Sequence, residues 1–425
     1  MEEATTTWSR EALLRAPRPR QLPLAPVADP PRRKLPLLAE PTEVDRVRPI
    51  YCVWEITLAC DLACRHCGSR AGKARPSELS TEEALSLADQ LIELGIREVT
   101  LIGGEAYLRP DWLQLVERFA RSDVLVSITT GGRGLTPELA RAAKNSGLRA
   151  ASVSLDGMRE VHDRLRGVQG SFDAALRAMD AIGSADLELF NNTQINRLSY
   201  PDLPELLETI AARGSRAWQI MLTVPMGRAA DEPEVMIQPY ELVEVFPLLA
   251  TLKQRADELG VLVWRGNTLG YFGPYESILQ SHLPSGHGSS CGAGRSTIGI
   301  EADGTIKGCP SLGTKKWTAG NILDAPLEDI WTKAEPLRYT RTRTEADLWG
   351  YCAECYYRKV CKGGCTWMSD MLLGRPGNNP YCHHRALEMK ARGLRERVQK
   401  VEAAPGQPFD QGLFELIVEP LVAGT

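Results

Sequence analysis

Cys60, Cys64 and Cys67 lie within one short segment that directly follows an apolar run of the chain. Three thiolates on a short loop can bind three irons of a cubane [4Fe–4S] cluster and leave the fourth iron without a protein ligand. An iron that is open in this way can bind a substrate. Structural zinc needs four enclosed ligands, usually arranged in C-x2-C pairs. This triplet supplies only three cysteines. We therefore interpret the triplet as the loop that holds a reactive cluster.

A second group of cysteines occupies the C-terminal part of the chain. There the alternating pattern of predicted strands and helices gives way to Gly, Cys and short turns. Its members are Cys291, Cys309, Cys352, Cys355, Cys361, Cys365 and Cys382. Such a region has few apolar side chains to bury, so we expect metal coordination to hold it together. One or two zinc ribbons are the alternative. The remaining cysteine, Cys52, is expected to be a buried core thiol.

Composition restricts the class of protein. With 425 residues, 43% of them hydrophobic, and a formal net charge of -4, the chain is typical of a soluble protein with more than one folded unit. It has no strong positive field for nucleic acid and no apolar run long enough to span a membrane. We expect a cytoplasmic protein without nucleic-acid or membrane partners. Because that compartment keeps thiols reduced, the cysteines are expected to be ligands rather than disulfides.

The region before the C-terminal cysteines alternates short apolar runs with stretches of helical period, which indicates a parallel βα repeat. We predict an α/β fold in which six βα units form a partial (β/α)6 TIM-like barrel, with functional residues just after the strands. Ser80 with Glu83, and Thr136 with Pro137, are predicted to begin two of the helices. The predicted strands are Cys52–Leu58, Glu98–Ile102, Leu125–Thr129, Ala150–Leu155, Leu187–Ile195 and Trp218–Leu222.

The spacing C-x3-C-x2-C after the first predicted strand resembles the signature of the radical S-adenosylmethionine superfamily. The resemblance implies that S-adenosylmethionine binds the open iron through its amine and carboxylate. Gly103, Gly104 and Glu105, after the second strand, are similar to the family's site for the methionine amine, where a carboxylate pairs with an ammonium. The family usually has proline next, and Ala106 departs from that pattern.

The same resemblance implies further cofactor contacts. Ser154 would touch the ribose or the carboxylate, and Arg166 would pair with the carboxylate. Thr130 lies in a loop that flanks the adenosine, and His66 occupies the aromatic position near the adenine. Alternatives remain open for three of them: a turn-forming role for Ser154, a surface salt bridge for Arg166 and simple packing for His66.

The C-terminal cysteines resemble the SPASM domain, which is found in peptide-modifying members of the superfamily and holds auxiliary clusters. By this resemblance one auxiliary [4Fe–4S] cluster has the ligands Cys352, Cys355, Cys361 and Cys382. The other has only Cys291, Cys309 and Cys365, and its fourth ligand stays open between a protein side chain, water and a substrate atom. The chain would then carry three [4Fe–4S] clusters.

These resemblances imply a radical enzyme that abstracts hydrogen from a ribosomally made peptide or a protein side chain as a maturase, with a flavodoxin-type or ferredoxin-type electron donor. The same chemistry on a small molecule or tetrapyrrole is an alternative, as is a noncatalytic electron-transfer protein. We predict a Pro/Arg-rich extended leader (1–47), the barrel (48–275), the SPASM domain (285–395) and a tail (396–425). Whether S-adenosylmethionine is consumed stays open.

Overall fold

A computed structural model describes residues 47–283 and 290–421 of the chain. Nearly all of the expected leader lies outside these residues, and so do the predicted start of the SPASM domain at 285 and the last residues of the tail. The leader therefore stays a prediction.

One sheet organises the described part of the chain, with ten strands in the order β10-β9-β8-β1-β2-β3-β4-β5-β6-β7. Strands β1 to β7 are parallel to their neighbours, β8 pairs in parallel with the other side of β1, and β9 and β10 are antiparallel. The strands are β1 (Tyr51–Glu55), β2 (Glu98–Ile102), β3 (Leu125–Thr130), β4 (Ala150–Ser154), β5 (Glu188–Ile195), β6 (Ala217–Leu222), β7 (Leu262–Arg265), β8 (Thr297–Ile300), β9 (Thr305–Lys307) and β10 (Gly320–Asn321).

The predicted α/β fold is confirmed, and all six predicted strands are present as β1 to β6. The sheet is nevertheless wider than six strands. Strand β7 has four residues with alternating exposure, too few for a clear periodic signal. Strands β8 to β10 contain only two to four residues each. They lie in the region rich in glycine and cysteine for which the sequence indicated no regular strands. The first predicted strand also ends earlier, at Glu55 rather than Leu58.

Helices cover the outside of the parallel strands. They are α1 (Thr81–Leu94), α2 (Trp112–Ala120), α3 (Pro137–Asn145), α4 (Arg159–Arg166), α5 (Ser171–Ser184), α6 (Leu203–Ala211), α7 (Arg228–Asp231), α8 (Leu242–Glu258) and α9 (Glu276–Leu279). Both predicted helix starts are confirmed: Ser80 and Glu83 form a capping box, and Thr136 accepts a hydrogen bond from the backbone N–H of Leu139 before Pro137 at the first helical position.

Amphipathic packing holds these helices on the sheet. In α1 the fully buried residues Ala84, Leu87, Ala88 and Leu91 recur at helical spacing and form one face. One stretch, Pro233–Glu258, is apolar and long enough to span a membrane by length and composition, but 67% of its most apolar window is buried inside the protein. That burial is typical of a core helix in a globular fold.

The C-terminal region is made of shorter elements. They are α10 (Thr314–Trp317), α11 (Leu327–Lys333), α12 (Glu335–Thr342), α13 (Tyr351–Glu354), α14 (Arg358–Cys361), α15 (Thr366–Leu373), α16 (His383–Ala391) and a hairpin of β11 (Leu394–Glu402) and β12 (Leu413–Pro420). A buried ion pair between Arg385 of α16 and Glu396 of β11 fixes the hairpin to the region. Because β8 belongs to the main sheet, this region continues the barrel's own sheet.

Candidate functional site

The cysteine triplet lies in a loop at the C-terminal end of β1 that the backbone closes on itself. The N–H of Cys60 donates to the carbonyl of Gly72 at 3.0 Å, and the N–H of Gly72 donates to the carbonyl of Leu58 at 2.9 Å. Cys60, Cys64 and Cys67 are all free thiols of intermediate exposure. The loop therefore presents three sulfurs at the mouth of the barrel, where the sequence predicts the functional residues.

Each of these sulfurs receives a hydrogen-bond donor. The N–H of Leu62 donates to Cys60 Sγ at 3.4 Å, that of Ala71 donates to Cys67 Sγ at 3.4 Å, and Arg166 Nη1 lies 3.7 Å from Cys64 Sγ. Donors that point at sulfur stabilise the thiolate form that iron binds. Burial raises the pKa of the Cys60 thiol to about 12, so iron must supply the charge that makes this thiol lose its proton.

Glu105 is fixed beside the triplet by the end of β3. Its carboxylate accepts hydrogen bonds from the hydroxyl of Thr130 and the backbone N–H of Gly131, both at 2.6 Å. The side chain is buried, and burial raises its pKa to about 7. A carboxylate held in this way keeps free lone pairs for a cationic group. A nearby cation would stabilise the ionised form, because its charge offsets the free-energy cost of burying the carboxylate.

Gly103 and Gly104 connect β2 to Glu105 in close contact with the cysteine loop. The N–H of Gly104 donates to Thr57 O and that of Glu105 donates to Ala59 O, both at 2.8 Å. A Cβ atom at Gly104 would collide with the carbonyl of Ala59 and with the side chain of Cys60. The two glycines therefore allow the two loops to pack against each other, which places Glu105 next to the cluster-binding loop.

Asp156 connects the predicted residues His66 and Arg166, and the sequence analysis did not single it out. Its carboxylate is fully buried and lies 2.6 Å from Arg166 Nη2 and 2.9 Å from His66 Nε2. Burial alone would raise the pKa of Asp156, but the charge of Arg166 and the contact with His66 hold it well below its usual range. Arg166 thus contacts both Asp156 and Cys64. Its ion pair with Asp156 is buried, whereas the alternative reading from the sequence was a salt bridge on the surface.

His66 and Arg166 each leave a polar atom available in this network, which lies close to Ser154 in the chain. Ser154 ends β4 with 8% of its surface exposed. Among the described residues, His66 Nδ1 and Arg166 Nε are buried and have no hydrogen-bond partner. Buried polar atoms without partners are costly unless a ligand satisfies them. Their position beside Cys64 fits a polar cofactor bound to the triplet.

A further positioning residue, Arg228 at the start of α7, fixes the loop from the far side. Its Nε donates to Cys64 O at 2.6 Å and its Nη1 donates to Ala71 O at 3.1 Å. Its backbone N–H donates to Cys67 O at 3.0 Å. The resemblance places Arg228 in the loop after the sixth predicted strand, which flanks the adenosine in relatives. It does not indicate this positioning role, because the partners of Arg228 are backbone carbonyls that are remote in the chain.

The four cysteines predicted to bind one auxiliary cluster line a single pocket. They are Cys352, Cys355, Cys361 and Cys382. Aromatic residues enclose the pocket: Phe272 stacks on Tyr357 with 4.2 Å between ring centroids, and His384 meets Tyr357 edge-on at 4.8 Å. A pocket lined by four sulfurs and closed by rings fits a four-coordinate cluster.

The other predicted set, Cys291, Cys309 and Cys365, also converges. Cys291 and Cys309 pack in one small cluster of buried residues, and both are ionisable neighbours of Cys365. Cys52, by contrast, is fully buried on β1, as expected for a core thiol. Within residues 47–283 and 290–421, no three His, Cys, Asp or Glu side chains are placed to hold a single metal ion.

Comparison with protein families agrees with both cysteine groups. Residues 54–210 match the radical SAM superfamily, and residues 291–356 match SPASM, an iron–sulfur cluster-binding domain. The first match contains the triplet and most of the surrounding barrel. The second begins at Cys291 and includes Cys309, Cys352 and Cys355.

Two curated relatives are equally similar in sequence. The AdoMet-dependent heme synthase of Nitratidesulfovibrio vulgaris is 32% identical over 362 residues, which cover 79% of this chain and 92% of that protein. Mycofactocin maturase MftC of Mycolicibacterium smegmatis is 32% identical over 359 residues, which cover 82% of this chain and 86% of that protein.

Solved structures share the fold at lower identity. The protein anSMEcpe with bound AdoMet and the Cp18Cys peptide has a TM-score of 0.62 at 16% identity, covering 80% of this chain and 95% of that one. Streptococcus suis SuiB bound to S-adenosylmethionine has a TM-score of 0.59 at 16% identity, covering 76% and 74%. At these identities the likeness concerns the fold alone.

Proposed function

The chain belongs to the radical SAM superfamily, and we propose that it is a maturase that abstracts hydrogen from a ribosomally made peptide or a protein side chain. One observation carries the proposal. The triplet stands at the barrel mouth with Glu105 on one side and the Asp156, Arg166 and His66 network on the other. This arrangement offers both a cluster site and charged groups for an amino acid cofactor.

In this proposal Cys60, Cys64 and Cys67 hold the reactive [4Fe–4S] cluster. With one electron from an external donor, the cluster and S-adenosylmethionine together would supply a 5'-deoxyadenosyl radical, which is chemistry that side chains do not perform. The backbone and guanidinium donors on the three sulfurs stabilise the thiolates. The barrel and the C-terminal region would limit access of water to a bound cofactor.

Glu105 would pair with the methionine ammonium, with Thr130 and Gly131 orienting its carboxylate. The glycines Gly103 and Gly104 keep that carboxylate close to the cluster loop. Arg166 would reach the methionine carboxylate through its buried Nε, while Asp156 holds its other end.

On the adenosine side, His66 would offer Nδ1 to the cofactor because Asp156 takes its Nε2. Ser154 would contact the ribose or the carboxylate from the end of β4.

The C-terminal cysteines would hold two auxiliary [4Fe–4S] clusters, so that the chain carries three. The four-cysteine pocket supports one of them and the convergence of Cys291, Cys309 and Cys365 supports the other. We propose about twelve irons per chain when all three sites are filled with cubane clusters. A flavodoxin-type or ferredoxin-type protein would deliver electrons, as befits a cytoplasmic enzyme.

The activities of two related proteins support a peptide substrate. MftC is a maturase of mycofactocin, and SuiB has been solved with a precursor peptide, SuiA. Tetrapyrrole chemistry is the second candidate, because the heme synthase is as similar to this chain as MftC is. A noncatalytic electron-transfer role is the least supported, since the triplet and Glu105 are both in place.

An anaerobic assay decides between these candidates. Reconstituted protein with dithionite and S-adenosylmethionine should release 5'-deoxyadenosine, and absence of that product would leave only the noncatalytic role. Mass spectrometry of a peptide encoded beside the gene, coexpressed with this protein, should then show a mass change. Iron coproporphyrin III is the matched alternative substrate, and turnover of it without peptide modification would transfer the assignment to tetrapyrrole chemistry.

A further inference from the structure

The loop that joins β11 to β12, residues 403–412, packs against the loop of the cysteine triplet at the other end of the chain. The N–H of Phe409 donates to the carbonyl of Gly68 at 3.1 Å, and Gly68 directly follows the last cysteine of the triplet. The N–H of Gly227 donates to the carbonyl of Asp410 at 2.9 Å. The loop of the hairpin therefore joins the triplet loop to the segment after β6.

The side chain of Arg70 connects the same three segments. Its Nε donates to Asp410 Oδ1 at 2.9 Å and its Nη2 donates to Gly227 O at 3.0 Å. Its Nη1 donates to Asp231 Oδ2 at 2.7 Å. The backbone N–H of Arg70 donates to the carbonyl of Cys67 at 3.4 Å. A side chain that binds the hairpin thus belongs to the turn that follows a predicted cluster ligand.

The two acidic partners of Arg70 differ in their exposure to solvent. The side chain of Asp231 is 44% exposed, whereas that of Asp410 is 7% exposed and that of Arg70 is 14% exposed. Solvent and salt screen an exposed ion pair much more than a buried one. The contact with Asp410 is therefore the stronger of the two constraints on Arg70.

Backbone geometry at this contact is costly, which indicates that the side chains are needed there. Arg70 has a φ of 50° and Phe409 a φ of 55°, in the left-handed region that favours glycine. Such conformations persist only where the surroundings hold them. Glycine would remove the strain, but it has neither the guanidinium of Arg70 nor the ring of Phe409, which lies 3.9 Å from Lys307 Nζ at its centroid.

The carboxylate of Asp410 has a separate task for each oxygen. Oδ1 accepts from Arg70, as described above, whereas Oδ2 accepts from the backbone N–H groups of Gly406 and Gln407. The second set of bonds folds the hairpin loop on itself. One side chain therefore shapes the loop and attaches it to the triplet side.

We propose that Asp410 is a positioning residue for the reactive cluster. Through Arg70 it fixes the segment that follows Cys67, and so it holds one of the three predicted sulfur ligands in place. Groups that orient metal ligands without touching the metal strongly affect how firmly the metal is held. The proposal rests on the assignment of the reactive cluster to the triplet, and it makes the C-terminal hairpin part of the support of that site.

Asp410→Asn tests the contact with Arg70 selectively. The amide oxygen can still accept from Gly406 and Gln407, whereas the amide nitrogen would face Arg70 and cannot replace the carboxylate oxygen. In reduced holoprotein, the electron paramagnetic resonance signal that changes on addition of S-adenosylmethionine identifies the triplet cluster. With the iron chelator bathophenanthroline present, this signal should decay about 10-fold to 100-fold faster in Asp410→Asn than in the wild type. The auxiliary signals should decay at wild-type rates.

Two further variants control this measurement. Glu419→Gln removes a carboxylate from the other end of the same hairpin, where it pairs with Arg395 and Arg397, and it should keep the wild-type decay. Arg70→Met should accelerate decay of the triplet signal. Adding Asp410→Asn to Arg70→Met should cause no further acceleration, because the two residues act through one contact. Additive effects would overturn the proposed route through Arg70.

Amide hydrogen exchange in the wild-type holoprotein needs no variant, so the test survives if Asp410→Asn folds poorly. Coupling between two sites is reciprocal, so binding of S-adenosylmethionine should slow exchange across residues 403–412 by about 5-fold or more. Residues 394–398, at the far end of β11, should keep their exchange rate. Unchanged exchange across 403–412 would overturn the positioning role.

The spectra separate the possible failures. A wild-type protein with no signal that responds to S-adenosylmethionine would overturn the reactive cluster, and the proposed function with it. A responsive signal that decays equally fast in the wild type and in Asp410→Asn would overturn the positioning role alone. Equal acceleration of the triplet and auxiliary signals in Asp410→Asn would also overturn it, because the effect would then be one of general stability.

Discussion

The two cysteine-bearing regions differ in what holds their sulfurs in place. The triplet loop is closed by backbone hydrogen bonds, packs against Gly104 and is held by Arg228 on its far side. Five of the C-terminal cysteines lie in helices of four to nine residues or in the turns beside them, and four of these five surround a pocket. The other two, Cys291 and Cys309, lie before β8 and after β9.

The difference indicates that the two regions maintain their cluster-binding geometry in different ways. Where a cofactor must enter and leave, the chain itself maintains the site, so that the geometry survives exchange. Where a cluster is expected to remain bound, iron–sulfur bonds would add to a hydrophobic core that the short elements share with the barrel. The following predictions test this division, beginning with the largest expected effect.

Replacing Cys60, Cys64 and Cys67 together with alanine should abolish cleavage of S-adenosylmethionine, because the proposed cofactor site is the iron that this triplet leaves without a protein ligand. The auxiliary clusters should remain visible by electron paramagnetic resonance, since a different part of the chain holds them. Chromatographic measurement of 5'-deoxyadenosine provides the activity. Residual cleavage would contradict the division between the two regions.

Asp156→Asn should destabilise the barrel by about 3 to 5 kcal/mol, because it leaves Arg166 buried without its charged partner. Denaturant unfolding of the metal-free protein measures this loss. Asp173→Asn is the matched control: Asp173 pairs with Arg159 on the surface, and its removal should leave stability unchanged. Equal effects of the two variants would show that the buried network does not stabilise the triplet side.

Removing iron by chelation should loosen the C-terminal region selectively. Amide hydrogen exchange across residues 351–382 should accelerate by roughly 100-fold, whereas β1 to β4 should keep their protection. Mass spectrometry of peptic fragments resolves the two regions. Uniform acceleration across both regions would mean that the clusters stabilise the whole fold and would remove the contrast.

Glu105→Gln should weaken binding of S-adenosylmethionine by about 10-fold to 100-fold, which corresponds to the loss of one charge-assisted hydrogen bond. The amide keeps the size of the carboxylate, so the auxiliary clusters and the fold should be unaffected. Equilibrium dialysis against the reconstituted protein measures the affinity. Unchanged affinity would remove Glu105 from the cofactor site.

The pH dependence of that affinity should show the smallest effect. Burial raises the pKa of Glu105 to about 7, so below that value the carboxyl is neutral and cannot pair with an ammonium. Affinity in the wild type should therefore rise by up to about tenfold between about pH 5.5 and about pH 7. Glu105→Gln should lack this rise, and a parallel rise in the variant would assign it to another group.

Sequence alone identified the regions with a repeating signal and missed the isolated ones. Strands β1 to β6 have apolar runs between helical stretches and were predicted nearly at their bounds. Strand β8 has only Thr297–Ile300, which becomes a strand because β1 offers a free edge for it. The pairing depends on tertiary structure, so it leaves no pattern in the local sequence.

The same distinction applies to the site. Glu105 could be predicted because it follows two glycines at the end of a strand, as in a known family. Asp156 could not, because aspartate between leucine and glycine is typical of a turn, and only the fold brings His66 and Arg166 to it. The positioning role of Arg228 was missed for a related reason, since this side chain binds carbonyls about 160 residues away.

The pairing of β8 with β1 has a consequence for electron transfer. Strand β1 leads into the loop of Cys60, and β8 packs directly against the backbone of Cys309, where a Cβ at Gly299 would collide with Pro310. The paired strands therefore connect the loop of Cys60 with the segment of Cys309, which are the proposed positions of the reactive cluster and of an auxiliary one. Tunnelling between these two positions would proceed at a rate fixed by the architecture, without waiting for any hinge to close.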